Sequence, residues 1–301
     1  MVSPDDLSIE KVSLNNDIKE IFMKKKLLAL AVTSAAVMSV SAHADSSWER
    51  ASNGGTFNIG GTITVDKHYE DNWLWKLGSG ITLDNNDNDL DETKRSLTVA
   101  MPERTVLLVG KSEAFKTPIG GLGASPQISF SDADGNPVTL QTKEDVDTGY
   151  ASLTLPIKND ENATIGDLKL NVQALGIMYT AIDNTRAGPV KLLAQRPGQV
   201  FYGGLTSHIV AAGGSAYANK VANDGGWSIA EMRAKYNTMV GNPDMGWASM
   251  SGTMSTDGSR GGVYSYSLVI DQGQKLEATF KSPIYKTTQW SSPLKIAVTY
   301  N

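Results

Sequence analysis

Apolar and polar residues alternate one for one along much of this chain, and a period of two dictates strands with one buried face. Leu168, Leu170 and Val172 are spaced this way, as are Tyr264, Tyr266, Leu268 and Ile270. Leu276, Ala278 and Phe280 repeat the pattern, and Leu294, Ile296, Val298 and Tyr300 carry it to the penultimate residue. Shorter strands are predicted at 73–77, 96–100, 106–109, 127–130, 138–140 and 151–157. Turn sequences such as Asp134-Gly135-Asn136-Pro137 and Asp271-Gln272-Gly273 separate them. Many short strands without regularly interleaved helices predict an all-β, antiparallel, immunoglobulin-like sandwich.

One stretch has helical spacing instead. Ser228 can cap a helix, and Glu231 three residues on completes a capping box. Trp227 before the cap can meet Met232 as a hydrophobic staple. Ile229, Met232, Tyr236, Met239 and Val240 share one face, and Gly241 with Pro243 ends the helix. This helix is expected inside an inserted subdomain, about residues 176–262, carried by a sandwich body spanning 67–301.

The N-terminal part reads as an export signal. Met23-Lys24-Lys25-Lys26 is basic, Leu27 to Val40 is uncharged and apolar, and Ser41-Ala42-His43-Ala44 supplies small residues for cleavage. Residues 23–44 are therefore expected to be a signal peptide, with residues 1–22 an upstream artefact of the gene start. The apolar run is short for a bilayer span. Export takes the chain through the periplasm to the cell surface.

Composition narrows the chemistry. There is no cysteine, which excludes disulfides, thiolate metal sites and cysteine nucleophiles. A net charge of -5 argues against a nucleic-acid partner. His43, His68 and His208 are the only histidines, and no serine stands in a nucleophile elbow, so no catalytic constellation emerges. The oxygen-rich stretch Asp84 to Asp89 resembles a calcium loop, but Asp89 stands where an EF-hand needs glycine and Arg95 where it needs glutamate. It reads as a solvated acidic loop. Asp132-Ala133-Asp134-Gly135-Asn136 reads first as a turn. No metal or cofactor is expected.

The two ends carry the strongest signal. Phe57, Ile59, Gly61, Ile63 and Val65 fall on one face of a strand within the segment 45–66. A glycine in the middle of an apolar face weakens a strand unless another group approaches closely there. At the other end, the strand Leu294–Tyr300 is followed by no further hairpin, so its next neighbour must come from elsewhere. Together the ends suggest an incomplete sandwich, filled by the N-terminal extension of an identical subunit. An ordinary edge strand within one domain also fits the patterning. An unfilled groove would be an aggregating edge, so a periplasmic chaperone is expected to hold it until assembly.

Several stretches resemble the K-eighty-eight (F-four) fimbrial subunits of enteric bacteria. They are Phe57 to Thr64, Trp73 to Gly78, Lys111 to Pro118, Pro126-Gln127-Ile128, Leu155 to Asn159, Phe201 to Thr206 and Thr288 to Tyr300. The resemblance spans nearly the whole chain after the signal and weakens between about Gly176 and Gly262. It implies a chaperone–usher pilin with an incomplete immunoglobulin-like fold. Phe57, Ile59, Gly61 and Ile63 would be donor-strand residues. Leu294, Ile296, Val298 and Tyr300 would form the strand a chaperone pairs with. An outer-membrane usher is the implied assembly partner. Many other pilins carry a glycine where this chain has Thr288, so that part of the chaperone motif is absent.

A receptor role is implied as well, directed at host glycoconjugates. Sugar sites combine aromatic faces with amide, carboxylate or guanidinium groups. Within the insertion, Gln195, Arg196, Gln199, Trp227 and Trp247 are the candidates, and no spacing among them is diagnostic. Trp227 also fits a helix staple. A structural or minor pilin with no receptor site remains the alternative, and a secreted enzyme on a sandwich fold would need a constellation that is not found.

Overall fold

A computed structural model describes residues 72–116, 125–142, 148–207, 214–241, 245–253 and 261–300. The signal segment, the extension 45–66 with Phe57, Ile59, Gly61, Ile63 and Val65, and all three histidines lie outside the described residues.

The chain is mostly strand, with two short helices. In order, the strands are β1 (Trp73–Leu77), β2 (Ser96–Ala100), β3 (Thr105–Ser112), β4 (Pro126–Ser131), β5 (Pro137–Val138), β6 (Gln141–Thr142), β7 (Tyr150–Lys158), β8 (Thr164–Ala181) and β9 (Arg186–Leu193). Helices α1 (Gly214–Asn223) and α2 (Ile229–Val240) follow. Strands β10 (Gly246–Trp247), β11 (Met250–Thr253), β12 (Val263–Ile270), β13 (Lys275–Phe280) and β14 (Lys295–Tyr300) complete the order.

The 18-residue strand β8 organises the larger sheet. Its first half lies between β7 and β13, and its second half between β9 and β12. β12 carries β3 and then β1, while β13 carries β2. A second sheet has the order β14–β4–β5. Side chains from both sheets meet in one core, where Leu153, Leu155, Leu168, Leu170 and Leu268 join Ile128, Phe130, Ile296 and Val298. This is the sandwich that the alternation predicts.

Alternation fades where both faces of the sheet are covered. From Val172 to Thr180 every residue of β8 is buried, the polar Gln173 included. Ala174 and Met178 face the sandwich core, while Leu175, Ile177 and Tyr179 face a second core under the helices. A strand roofed on both sides shows no polar face, so period two disappears. Gly176, the expected start of the insertion, lies inside this strand. The helical layer thus grows directly from the main sheet.

Helix α2 forms where the sequence places it. The Ser228 side chain accepts from the Glu231 backbone N–H, the Glu231 side chain accepts from the Ser228 backbone, and Gly241 closes the end with φ 67°. Met232 and Tyr236 are buried, with Trp227, Ile229, Met239 and Val240 packed around them. Helix α1 was not foreseen. Both helices belong to a crossover that lets β10 and β11 pair with β9 in parallel. Parallel neighbours require such a connection, so the sheet is not antiparallel throughout.

Two of the quoted sequence stretches interlock beside β4. Phe201 (φ 63°) and Gly203 (φ 83°) turn the chain so that the Phe201 N–H reaches the Pro126 carbonyl at 2.7 Å. The Ile128 N–H then donates to the Tyr202 carbonyl at 2.8 Å. A Cβ at Gly203 would sit 2.1 Å from the Ile128 carbonyl oxygen, so only glycine allows this approach. The Asp132 carboxylate accepts from Asp134 N–H, Asn136 N–H and Asn136 Nδ2, which makes the oxygen-rich stretch a turn, as expected.

An aromatic cluster fixes β1 against the far end of β14. Trp73, Trp75, Phe201, Tyr264 and Tyr266 contact one another, and the Trp75 Nε1–H donates to Tyr300 Oη at 2.8 Å. Gly110 on β3 is the floor for Trp75, since a Cβ there would lie 2.3 Å from the indole. Gly110→Val is therefore expected to push Trp75 off its site and lower stability by about 1–3 kcal/mol. Near-UV circular dichroism and a urea titration check this, and an unchanged near-UV spectrum would refute the packing argument.

Candidate functional site: an open sheet edge and an aromatic ridge

The C-terminal strand meets the expectation drawn from its pattern. Leu294 precedes it, and Leu294, Ile296, Val298 and Tyr300 all turn into the core, whereas Lys295 and Thr299 face solvent. β14 pairs antiparallel with β4 from Lys295↔Ser131 to Tyr300↔Pro126. Among the described residues, β4 is its only strand partner. β1 likewise pairs with β3 alone, and its Leu74 is 53% exposed. Thus each sheet ends at one of the two strands joined by the Trp75–Tyr300 bond. An edge strand with a buried apolar face and, among the described residues, a single pairing neighbour is a template for a further strand.

The five glycan candidates fall in three separate places. Gln195 and Arg196 are exposed on the loop after β9, whereas Gln199 is buried. Gln199 Oε1 accepts from the backbone N–H groups of Gln195 (2.6 Å) and Arg196 (3.2 Å). Its carbonyl accepts from Gln127 Nε2 at 2.8 Å. Gln199 therefore organises the loop, and its side-chain oxygen is committed there.

Trp227 lies elsewhere, at the entry to α2. Its indole N–H donates to the Ser112 carbonyl at 2.8 Å, and its backbone N–H to Ser265 Oγ at 3.0 Å. The ring lies beneath Lys111 and Lys235, whose ammonium groups are 3.9 and 4.4 Å from its centre. Trp227 is a packing residue with a cationic cover, which suits the staple reading.

Trp247 stands in the third place and is the most available of the aromatic candidates. It is 50% exposed on β10, contacts Tyr179 at 6.4 Å between ring centres, and pairs in register with Ala187. Gly246 pairs with Arg186, so the β8–β9 turn lies alongside. In that turn Arg186 clamps Asp183 at 2.6 and 2.7 Å. The Arg186 guanidinium, with donors from Thr185, holds the Asp183 carboxyl well below the usual carboxylate range. Trp247 shares its face of the sheet with Ala187, while Arg186 lies beside Gly246 on the other, so the exposed indole and the ion pair are separate surface features. Met250, next on this edge, is also exposed.

Three further groups escaped the sequence reading. Arg104, Asp224 and Asp271 form an ion cluster joining α1 to the β12–β13 turn. Nothing in their spacing signals this, because the three lie far apart in the chain. Among the described residues, no three His, Asp or Glu side chains gather as a metal site, and no helix is long and apolar enough to cross a membrane.

The described residues thus form an immunoglobulin-like sandwich in which β14 has one strand partner. The chain belongs to the family described as fimbrial, major and minor subunit, whose model matches residues 23–301. It is similar to K88 fimbrial protein AB of Escherichia coli, with 34% identity over 293 residues that cover 92% of this chain and 100% of that protein. K88 fimbrial protein AD of Escherichia coli is 34% identical over 294 residues, covering 92% and 100%. F41 fimbrial protein of Escherichia coli is 25% identical over 292 residues, covering 93% and 100%. The chain is thus a fimbrial subunit, a component of a surface fibre and not an enzyme.

Proposed function

We propose that this subunit polymerises by donor-strand exchange and that the assembled fibre binds host glycans. The observation that carries the first part is β14: a strand with a fully buried apolar face and, among the described residues, one pairing neighbour. Phe57, Ile59, Gly61, Ile63 and Val65 of a second copy would add a strand beside it. A periplasmic chaperone would occupy the same edge before assembly, pairing with Leu294, Ile296, Val298 and Tyr300, and an outer-membrane usher would mediate the exchange. Gly61 serves where the groove is shallow, so Gly61→Trp is expected to block fibre formation while leaving the subunit folded. Electron microscopy and size-exclusion chromatography read this, and normal fibres from the variant would overturn the groove argument.

The adhesive part rests on Trp247, the half-exposed aromatic of β10. Arg196 and Gln195 are the exposed polar candidates on the separate loop after β9, and Trp227 and Gln199 hold their own segments. Trp247→Ala is expected to weaken glycan-array binding by on the order of tenfold, because an exposed aromatic anchor carries a large share of such contacts. Fibres that form normally and bind nothing before the substitution would instead favour a purely structural subunit.

A further inference from the structure

The open edge of β14 has two unlike ends. Tyr300, its last residue, meets Trp73 at the start of β1, with 6.4 Å between ring centres. The start of β14 lies at the opposite pole, where Ser291 pairs with Lys158 at the end of β7. β13 ends at this pole, with Phe280 opposite Gly166, and β2 begins there, with Ser96 opposite Thr279. The β1–β2 and β13–β14 connections border a cleft of about 340 Å³ at the same pole. The Ile284 N–H donates to the Lys94 carbonyl at 2.8 Å and ties its two walls together. Leu97 and Phe280 are buried in the floor, and Trp290 meets Phe280 edge to face at 6.2 Å. Tyr285 stands on the rim, 80% exposed. Of the charged lining residues, Lys94 and Lys286 are basic and Asp87 is acidic, and residues 281–294 include no Asp or Glu.

A strand added beside β14 would continue the antiparallel order of β14, β4 and β5, the commoner and slightly stronger pairing. It would run from the Tyr300 end to the Leu294 end and leave the sheet at the pole of the cleft. In the extension, the residues after Val65 are Asp66, Lys67, His68, Tyr69, Glu70 and Asp71, which lead into β1 of the same chain. Six residues reach at most about 20 Å. Trp290 precedes Leu294 by four residues, at most about 14 Å, so the cleft lies within that reach. Charge matches as well. The junction carries three acids against Lys67, and the cleft carries two lysines against Asp87. Tyr69 offers an aromatic body for the apolar floor and a hydroxyl for the wet rim.

We propose that this cleft seats the Asp66–Asp71 junction of a second copy, the one whose extension fills the β14 edge. Tyr69 of that copy lies on the apolar floor beside Tyr285, with Glu70 and Asp71 toward Lys94 and Lys286. The inference rests on the donor-strand reading and adds a second contact to it. A junction left in solvent would let successive subunits swing about the donor strand. Seating it fixes the angle between them and stiffens the fibre.

The test uses fibres of the full-length chain. Because the chain has no cysteine, Tyr69→Cys with Tyr285→Cys introduces its only thiols. A short bis-maleimide is expected to turn such fibres into a ladder of covalent multimers on a denaturing gel. Tyr69→Cys with Thr238→Cys, placed on exposed α2, should give none. Tyr69→Ala and Tyr285→Ala should each speed fibre dissociation in guanidinium about tenfold, and the two together little more than either, because both remove one contact. Tyr285→Phe should stay within about twofold of wild type. The alanine variants decide the matter if the cysteine pair impairs assembly. The proposal is overturned if fibres form without a ladder, if the alanine variants dissociate as slowly as wild type, or if their effects multiply. Faster dissociation of Tyr285→Ala without a ladder would give the cleft to another surface of the neighbouring copy and overturn the seating of the junction. None of these results removes the donor-strand reading, which fails instead if chains lacking residues 45–66 still form fibres.

Discussion

Deleting residues 45–66 is expected to abolish fibre formation while leaving a chaperone-dependent, aggregation-prone subunit. The removed stretch contains Phe57, Ile59, Ile63 and Val65, four large apolar residues at alternate positions in the sequence. Burying each stabilises by ~1.5–3 kcal/mol, so the strand contributes on the order of 6–12 kcal/mol before ordering costs. Backbone pairing along β14 adds to that. A synthetic peptide of residues 56–66 should then bind the shortened subunit, raise its melting temperature and suppress aggregation. The same peptide with Gly61→Trp should not. Fibres formed by the shortened chain would sink the donor-strand reading. A peptide that leaves the melting temperature unchanged would show that the open edge is not its binding site.

The legible part of this fold was the part with one dry face. Leu276–Phe280 and Leu294–Tyr300 alternate because solvent lies on one side, and both are strands with that burial pattern. β8 was legible only as far as Val172, since beyond it the helices cover the outer face and remove the polar positions. Helix α2 was readable through its caps, which are local chemistry. Helix α1 presents only Ala218 and Val221 as buried side chains, too small a stripe to register as a helix face. The parallel pairing of β10 and β11 depends on that crossover and could not be read without it.

The candidate site divides in the same way. The burial of Leu294, Ile296, Val298 and Tyr300 could be read because alternation alone sets it. Trp227, Trp247 and Gln199 look equivalent in sequence, yet one is a staple, one an exposed platform and one a loop brace. Their difference lies in partners distant along the chain: Ser112 for Trp227, Tyr179 for Trp247 and Gln127 for Gln199. Composition cannot encode such pairings, and no local spacing does.

Removing the Arg104 side chain is expected to cost about 3–5 kcal/mol, the range for breaking one partner of a buried ion pair. Arg104 grips Asp224 through Nε and a terminal nitrogen at 2.6 and 2.9 Å, and reaches Asp271 at 2.8 Å. The Asp224 side chain is only 2% exposed and lies at the C-terminal end of α1, where the helix dipole disfavours a negative charge. Arg104→Ala would leave that carboxylate buried and unpaired. Replacing both partners by apolar residues, Arg104→Met with Asp224→Leu, should cost much less, since neither charge then remains. Urea titrations would show a lower midpoint with an unchanged slope for the single variant. Equal losses in the single and double variants would refute the pairing argument. The cluster also sets an acid limit. Burial pushes the Asp271 carboxyl up, but hydrogen bonds from Arg104 and Tyr150 outweigh it and hold the group below its ordinary range. A carboxyl depressed on folding stabilises above its unfolded value, near 3.9, and that contribution is lost as pH falls through the lower folded value. Wild-type stability should therefore drop below about pH 4, and Asp271→Asn should flatten that part of the profile. An unchanged acid limb in Asp271→Asn would assign the drop to other carboxylates, Asp132 among them, whose turn hydrogen bonds outweigh burial in the same way.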